Sequence, residues 1–274
     1  MAPPPLVSVI VPAYRAGKEV VQAVTSIKQC GLAPEHYEIV VVSDDGADYA
    51  ERLGHDAVLR FTAAGPMASG AGAARNRGLA AARGQWVAFL DADDRWAPGY
   101  LAAALGPARA HGVAFSRTSV REAGRTLMEL PEGRWLRYAD MAETGASFWP
   151  VLPRARAGQF SDRAAQDILF SLEALARAGG RAPISPAVYR LNLRAGSTTR
   201  QTGFCARLAQ DYRDYRLDVL AGSTRVPPSQ RAAAARVFAA KAKLNAAYAK
   251  EIVKEPGLSY YRFVYRRLSL ARAA

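Results

Sequence analysis

A chain of 274 residues, half hydrophobic and 22% charged, suits one large α/β domain or a core of about 200 residues plus an extension. Two widely spaced cysteines, Cys30 and Cys205, exclude a disulfide framework and a cysteine metal cluster, and fit a reducing, cytoplasmic setting. The net charge of +13 is uneven: residues 1–199 carry +3 and residues 200–274 carry +10, so the basic excess belongs to the end of the chain.

The lead, residues 1–5, is Pro-rich and lacks a basic stretch followed by an apolar run, so no secretory signal is expected. Residues 6–11 are apolar and β-branched and stop at Pro12, which predicts a first strand. Residues 17–30 carry Val20, Val24 and Ile27 at helical spacing. Residues 38–43 read as a second buried strand ended by Asp44-Asp45-Gly46, and residues 57–61 as a third. A Gly-rich stretch, 65–72, leads into a helix over 73–83 that Gly84 ends. Residues 86–90 form a fourth strand that runs into Asp91-Ala92-Asp93-Asp94. Further on, strands are expected near 111–120 and 182–190, with a helix over 162–178 between them; residues 112–160 are otherwise irregular. Helices fill 203–220, 229–253 and 258–271. No apolar run approaches the roughly 20 residues of a membrane helix.

Strands alternating with helices imply a mostly parallel central sheet flanked by helices. In such sheets ligands bind beyond the carboxyl ends of the strands. Three separate segments, Pro12-Ala13-Tyr14, Asp44-Asp45-Gly46 and Asp91 to Asp94, then share one edge. Three carboxylates within four residues repel: two unit charges about 4 Å apart cost roughly 4 kcal/mol at an effective dielectric near 20. A hard cation removes that cost, and all-oxygen ligands suit Mn²⁺ or Mg²⁺, which take one or two carboxylates and share substrate phosphates. If the strand continues, Asp91 and Asp93 face one way and Ala92 the other.

These segments resemble family 2 glycosyltransferases of the GT-A fold. The resemblance rests on Val7-Ser8-Val9-Ile10-Val11-Pro12-Ala13-Tyr14, Val41-Val42-Ser43-Asp44-Asp45-Gly46, Ala74-Arg75-Asn76-Arg77-Gly78-Leu79, and Gly84 through Asp94, in that order. It covers residues 6–200 and implies a catalytic domain over 1–200, with 201–274 as a basic helical extension. It implies a Rossmann-like nucleotide-binding half and an inverting transfer of sugar from a nucleotide-diphosphate donor, uridine ahead of guanosine, to a hydroxyl of a glycan or lipid-linked acceptor in polysaccharide or cell-envelope biosynthesis. Position by position, Pro12, Ala13 and Tyr14 resemble the lip of the nucleotide pocket and Asp45 the residue that bonds the base. Arg75 resembles a basic position near the diphosphate, Asp91 a residue toward the ribose and metal, and Asp93 the direct metal ligand. Arg15, Ala47 and Gln166 depart from the family's usual Asn, Ser and Glu.

The later segment Ala165-Gln166-Asp167-Ile168-Leu169-Phe170 resembles the one that carries the catalytic base, which makes Asp167 the candidate and Asp162 the second choice. An acceptor hydroxyl is a weak nucleophile, so a carboxylate that takes its proton accelerates attack. Tyr189-Arg190 and Gly196-Ser197-Thr198-Thr199 resemble the family's closing motif, with Arg190, Arg194 and Ser197 within reach of the diphosphate. Trp149 and Pro150 stand where acceptor contacts or plain packing are equally expected.

The basic helices suit docking on the core with solvated cations, or peripheral contact with an anionic membrane at its inner face; they also offer a homodimer surface. Two other functions compete. A nucleotide-binding oxidoreductase would need its glycine loop after the first strand, and Gly70-Ala71-Gly72 lies elsewhere and lacks the third glycine. A nucleic-acid-binding module would need a stacking platform, and the tail's aromatics fall at helical spacing; no nucleic-acid partner is expected.

Overall fold

The computed structural model describes residues 3–62, 65–144, 148–193 and 203–273, with side chains through residue 270. Strand β1 (Val7–Ala13) is central because its β-branched residues are buried on both faces. It pairs in parallel with β2 (Tyr37–Ser43) on one side and β4 (Trp86–Phe89) on the other, and β3 (Leu59–Phe61) extends the parallel set beyond β2. Helices α1 (Lys18–Lys28), α2 (Tyr49–Leu53) and α3 (Ala71–Ala81) make the connections. α1 buries Val20, Ala23, Val24 and Ile27, the periodic face read from the sequence.

Past β4 the sheet turns mixed. The remaining elements are β5 (Arg95–Trp96), α4 (Tyr100–His111), β6 (Ala114–Glu122), β7 (Arg125–Leu130), β8 (Trp135–Arg137), α5 (Tyr138–Glu143), β9 (Pro150–Pro153), α6 (Gln166–Arg177) and β10 (Arg181–Asn192). The strand order is β3-β2-β1-β4-β9-β6-β10-β5, with β7 on β6 and β8 on β10. The expected mostly parallel sheet is thus confined to β3-β2-β1-β4 and the β6–β10 pair. β9 runs antiparallel to both β4 and β6, an arrangement that needs no crossover helix between neighbours. Because β10 is parallel to β6, its carboxyl end reaches the same edge as those of β1, β2 and β4: Asn192 bonds the turn after β4, and Asp44, just past β2, bonds Ala13.

Helices α7 (Phe204–Ala221), α8 (Arg231–Lys254) and α9 (Tyr260–Ala273) follow the expected boundaries closely. Leu208, Tyr212, Tyr215, Val219, Val237 and Phe238 of α7 and α8 join the same buried cluster as the sheet. A smaller cluster of Tyr248, Leu258, Tyr260, Phe263 and Val264 seats α9. Some of the tail's cations are paired: Arg262 bonds Glu122, Arg266 bonds Glu255 and Lys254 bonds Glu251. No described helix is long and apolar enough to cross a membrane. Both cysteines are free, and burial pushes both thiols up, toward the inert form.

Candidate active site

The lip after β1 is shaped by Asp45. Its Oδ2 accepts from the Arg15 backbone N–H (2.5 Å) and the Tyr49 hydroxyl (3.0 Å), and its Oδ1 from the Ala47 N–H (3.1 Å) and the Ser43 hydroxyl (3.2 Å). Burial works to raise this carboxyl, but those hydrogen bonds outweigh it and hold it below the usual carboxylate range. A carboxylate has about four acceptor positions, and all four are used. Asp45 therefore anchors the lip from below, and a nucleobase contact would have to share an oxygen already accepting two bonds. The Tyr49 hydroxyl also accepts the Ala16 N–H at 3.1 Å, so one phenol ties loop to carboxylate. Arg15 adopts the left-handed region (φ +49), which suits the Asn usual in the family better than Arg. Tyr14 is 48% exposed, with the Arg15 guanidinium 5.1 Å from its ring centre. Pro12 is half-buried and Ala13 buried, so the open surface of this lip is the Tyr14 ring.

The acidic segment is a turn, which corrects the expectation of a continued strand. β4 ends at Phe89, and the Asp94 N–H bonds back to the Asp91 carbonyl at 3.0 Å. The turn separates the acids by environment: the Asp91 side chain is 30% exposed, Asp93 is exposed and Asp94 is 6% exposed. Strand alternation therefore does not place Asp91 and Asp93 side by side; the turn presents them. Tyr189 and Asn192 of β10 clamp it. The Tyr189 hydroxyl accepts the Asp91 N–H (3.2 Å) and donates to Asp94 Oδ2 (2.8 Å). The Asn192 N–H donates to Asp94 Oδ1 (2.8 Å), and its side-chain amide donates to the Asp93 carbonyl (3.2 Å). Burial first, then the charges of Asp93 and Asp91, push the Asp94 carboxyl well up.

Three consecutive residues of α3 tie the site's parts together. Arg75 is 4% exposed and donates through Nη2 to Asp91 Oδ1. Its guanidinium lies 4.6 Å from the Trp149 ring centre and 5.5 Å from that of Phe160; among the described residues, its buried Nε and Nη1 have no hydrogen-bond acceptor. Arg75 lies against the turn, where it orients Asp91. Trp149, 1% exposed, is a packing residue of this box, and Pro150 is buried in β9. Asn76 exchanges two hydrogen bonds with the Phe160 backbone (2.9 and 2.8 Å). Arg77 holds Asp44 (2.8 Å), the Ser69 hydroxyl (2.7 Å) and the Ser43 carbonyl (3.1 Å). One turn of helix thus fixes the acidic turn, the segment leading to α6 and the loop after β2. Two glycines let α3 come close: a Cβ on Gly78 would lie 2.4 Å from an Ile10 methyl, and one on Gly72 would lie 2.2 Å from the Ser161 carbonyl.

Asp167 is half-buried in the first turn of α6, at the positive end of the helix dipole. The helix starts later than expected because Ala165 takes a left-handed conformation (φ +59). The segment before it is gripped from both sides. Asn76 holds Phe160, and on the other side α7 supplies Asp218 to Arg163 (2.5 Å) and Asp211 to the Ala164 N–H (3.2 Å). Asp162 is exposed outside the helix. Arg190 is half-buried on β10, next to Tyr189 and in register with Arg95 of β5. Arg194 and Ser197 lie outside the described residues. Tyr49 and Asn192 were not singled out from sequence, and Tyr189 stood out only with Arg190 in the closing motif.

Comparison with known proteins places this geometry. A family model described as Glycosyl transferase family 2 matches residues 8–168, more than half of the chain. The succinoglycan biosynthesis protein ExoO of Rhizobium meliloti is 30% identical over 224 residues, covering 72% of this chain and 63% of that protein. The chain spans less than two thirds of the length of the curated relatives it matches. Two solved structures share the fold. Staphylococcus aureus TarS, in complex with UDP-GlcNAc, matches at 19% identity and a TM-score of 0.60, over 82% of this chain and 69% of that one. The mannosyltransferase PcManGT of Pyrobaculum calidifontis, in complex with GDP-Man and Mn²⁺, matches at 18% identity and a TM-score of 0.55, over 99% of this chain and 76% of that one. With the matched region running from β1 into the first turn of α6, through every site segment except the β10 clamp, the chain belongs to glycosyl transferase family 2.

Proposed function

We propose that this protein transfers a sugar, with inversion, from a nucleotide-diphosphate donor to an acceptor hydroxyl, using a divalent cation. The observation that carries the reading is the braced acidic turn: Asp91 fixed by Arg75, and the turn itself clamped by Tyr189 and Asn192, at the edge shared with the Tyr14 lip. The donor set fits a hard cation. Asp93 is exposed and Asp91 partly so, all donors are oxygen, and Asp94 is occupied by its two clamping donors. Among the described residues the acids do not gather into a closed cage of three, which suits a shell completed by phosphate and water. Asp93, with Asp91, would hold Mn²⁺ or Mg²⁺, whose chemistry is to neutralise charge developing on the leaving diphosphate. The Tyr14 ring offers a face for the nucleobase. Asp167 takes the proton of the attacking hydroxyl on the side of the anomeric carbon opposite the diphosphate.

A uridine diphosphate sugar is the favoured donor and a guanosine one the other; TarS with UDP-GlcNAc and PcManGT with GDP-Man and Mn²⁺ support both readings on this fold. ExoO's role in succinoglycan biosynthesis supports a glycan or lipid-linked acceptor in polysaccharide assembly. The charge of residues 200–274, together with exposed Val253, Tyr265 and Leu270, supports peripheral contact with an anionic membrane face. Thermal-shift measurements with UDP, GDP, CDP and ADP, each with and without Mn²⁺, test the reading. One diphosphate should raise the melting temperature, and Mn²⁺ should enlarge that rise. No response to any pair would refute it.

A further inference from the structure

The extension is poor in acids: residues 200–274 hold five, and three of them, Asp211, Asp214 and Asp218, lie on α7. Asp211, Tyr215 and Asp218 recur at intervals of four and three, which puts them on one face of the helix. That face meets the residues just ahead of Asp167. Asp211 accepts the Ala164 N–H (3.2 Å), Asp218 accepts from the Arg163 guanidinium (2.5 Å), and the Tyr215 hydroxyl donates to the Arg163 carbonyl (3.4 Å). The same guanidinium lies 4.2 Å from the centre of the buried Tyr215 ring. Ala165, the residue after this tie, holds φ +59, a conformation that a residue with a Cβ keeps only where its surroundings impose it. Its carbonyl accepts the Ile168 and Leu169 N–H groups (3.0 and 3.2 Å), so it starts the turn that carries Asp167. The extension grips both flanks of this segment as well. Past α7, the Arg225 N–H donates to Glu173 of α6 (2.9 Å) and its guanidinium to the Ala157 carbonyl (2.8 Å).

We propose that Arg163 is a positioning residue for sugar transfer: locked to Asp218 and Tyr215 of α7, it sets the start of α6 and so the direction in which Asp167 meets the attacking hydroxyl. The proposal rests on Asp167 as the base. It makes α7 of the extension part of the catalytic apparatus, through a residue four positions from the reacting group. The Arg163 and Asp218 side chains are 32% and 34% exposed, so solvent screens their attraction and the pair adds little to stability. A merely structural role would have the pair dock α7 on the core with no effect on Asp167.

Arg163→Met separates the two, because its chain still packs on the Tyr215 ring while the tie to Asp218 is gone. The unaltered protein, Arg163→Met, Asp167→Asn and the double variant are compared for diphosphate release from UDP-GlcNAc or GDP-mannose with Mn²⁺, whichever donor's nucleotide the thermal screen selects, water standing in for the acceptor hydroxyl. Arg163→Met is expected to lose about tenfold in kcat with donor KM unchanged, a modest share of what a displaced reacting group costs. In the Asp167→Asn background the same substitution should cost no further turnover, because the group it positions is no longer a base. A merely structural role would cost the same factor in both backgrounds, and that result would overturn the proposal. If Asp167→Asn loses turnover and Arg163→Met keeps it, the proposal is overturned while the base assignment stands. If Asp167→Asn keeps turnover, the base assignment fails and takes the proposal with it. Should Arg163→Met not fold, Asp218→Asn, which removes the partner charge and keeps the side chain's size, takes its place in the same comparison with the same outcomes.

Discussion

Asp167→Asn should reduce kcat by about 10²- to 10⁴-fold, the usual contribution of a general base, while donor affinity stays within a factor of about two. The substitution preserves the size and most of the hydrogen-bonding capacity of the side chain in the first turn of α6. What it removes is the ability to accept a proton. The surroundings are built to survive the change: Asn76 holds Phe160 from α3, and Asp211 and Asp218 hold the following residues from α7. Loss of turnover with intact binding therefore reads as chemistry rather than misfolding. Steady-state kinetics beside calorimetric donor binding measures both quantities. A variant that transfers sugar at the unaltered rate would remove Asp167 from the mechanism and return attention to Asp162.

Arg75 should be the most sensitive residue that makes no direct contact with substrate. Its guanidinium does two things at once: Nη2 orients Asp91, and the flat group packs against the Trp149 and Phe160 rings, 4.6 and 5.5 Å from their centres. A lysine carries the same charge but not the planar fork, so Arg75→Lys should not rescue function. Arg75→Met fills the aromatic box with an apolar chain, and replacing a buried charge by a well-packed hydrophobe is often close to neutral for stability. Asp91 then loses its brace. Both variants should lose about 10- to 100-fold in kcat/KM, the usual cost of removing a group that orients a metal ligand. Arg75→Met should melt close to the unaltered protein. Unchanged kcat/KM in Arg75→Lys would show that charge alone suffices and that the stacked geometry has no role.

The parts of the molecule legible in the sequence are those governed by local pattern. β1, β2 and β4 are continuous apolar runs because they are buried on both faces, and α1, α6, α7, α8 and α9 show helical periodicity. The gathering of Tyr14, Asp45 and Asp91 at one edge follows from parallel strands alone. The segments after β4 were harder for a physical reason. β5, β8 and β9 are short and take their register from distant partners, and α4 is Ala-rich, with a proline inside and a weak apolar face. The alternation argument for Asp91 and Asp93 failed because the chain turns once it leaves β4. The Ala74-Arg75-Asn76-Arg77-Gly78-Leu79 segment was visible as a pattern, yet its work as a three-way tie was not, since each partner is far away in sequence. The same holds for Tyr49 and Tyr189, two phenols that each accept a loop N–H and donate to a carboxylate. In sequence they look like ordinary core aromatics.

The central claim is that the turn after β4 binds a hard cation shared with a diphosphate. Isothermal titration of the nucleoside diphosphate selected by the thermal screen, with Mn²⁺ and with a chelator, into the unaltered protein and into Asp93→Ala, tests it most directly. The account predicts an affinity that rises at least about tenfold with Mn²⁺ in the unaltered protein, a gain of about 1.4 kcal/mol, and that does not respond to Mn²⁺ in the variant. Equal affinity with and without the metal, or a Mn²⁺ response that survives in Asp93→Ala, would contradict it.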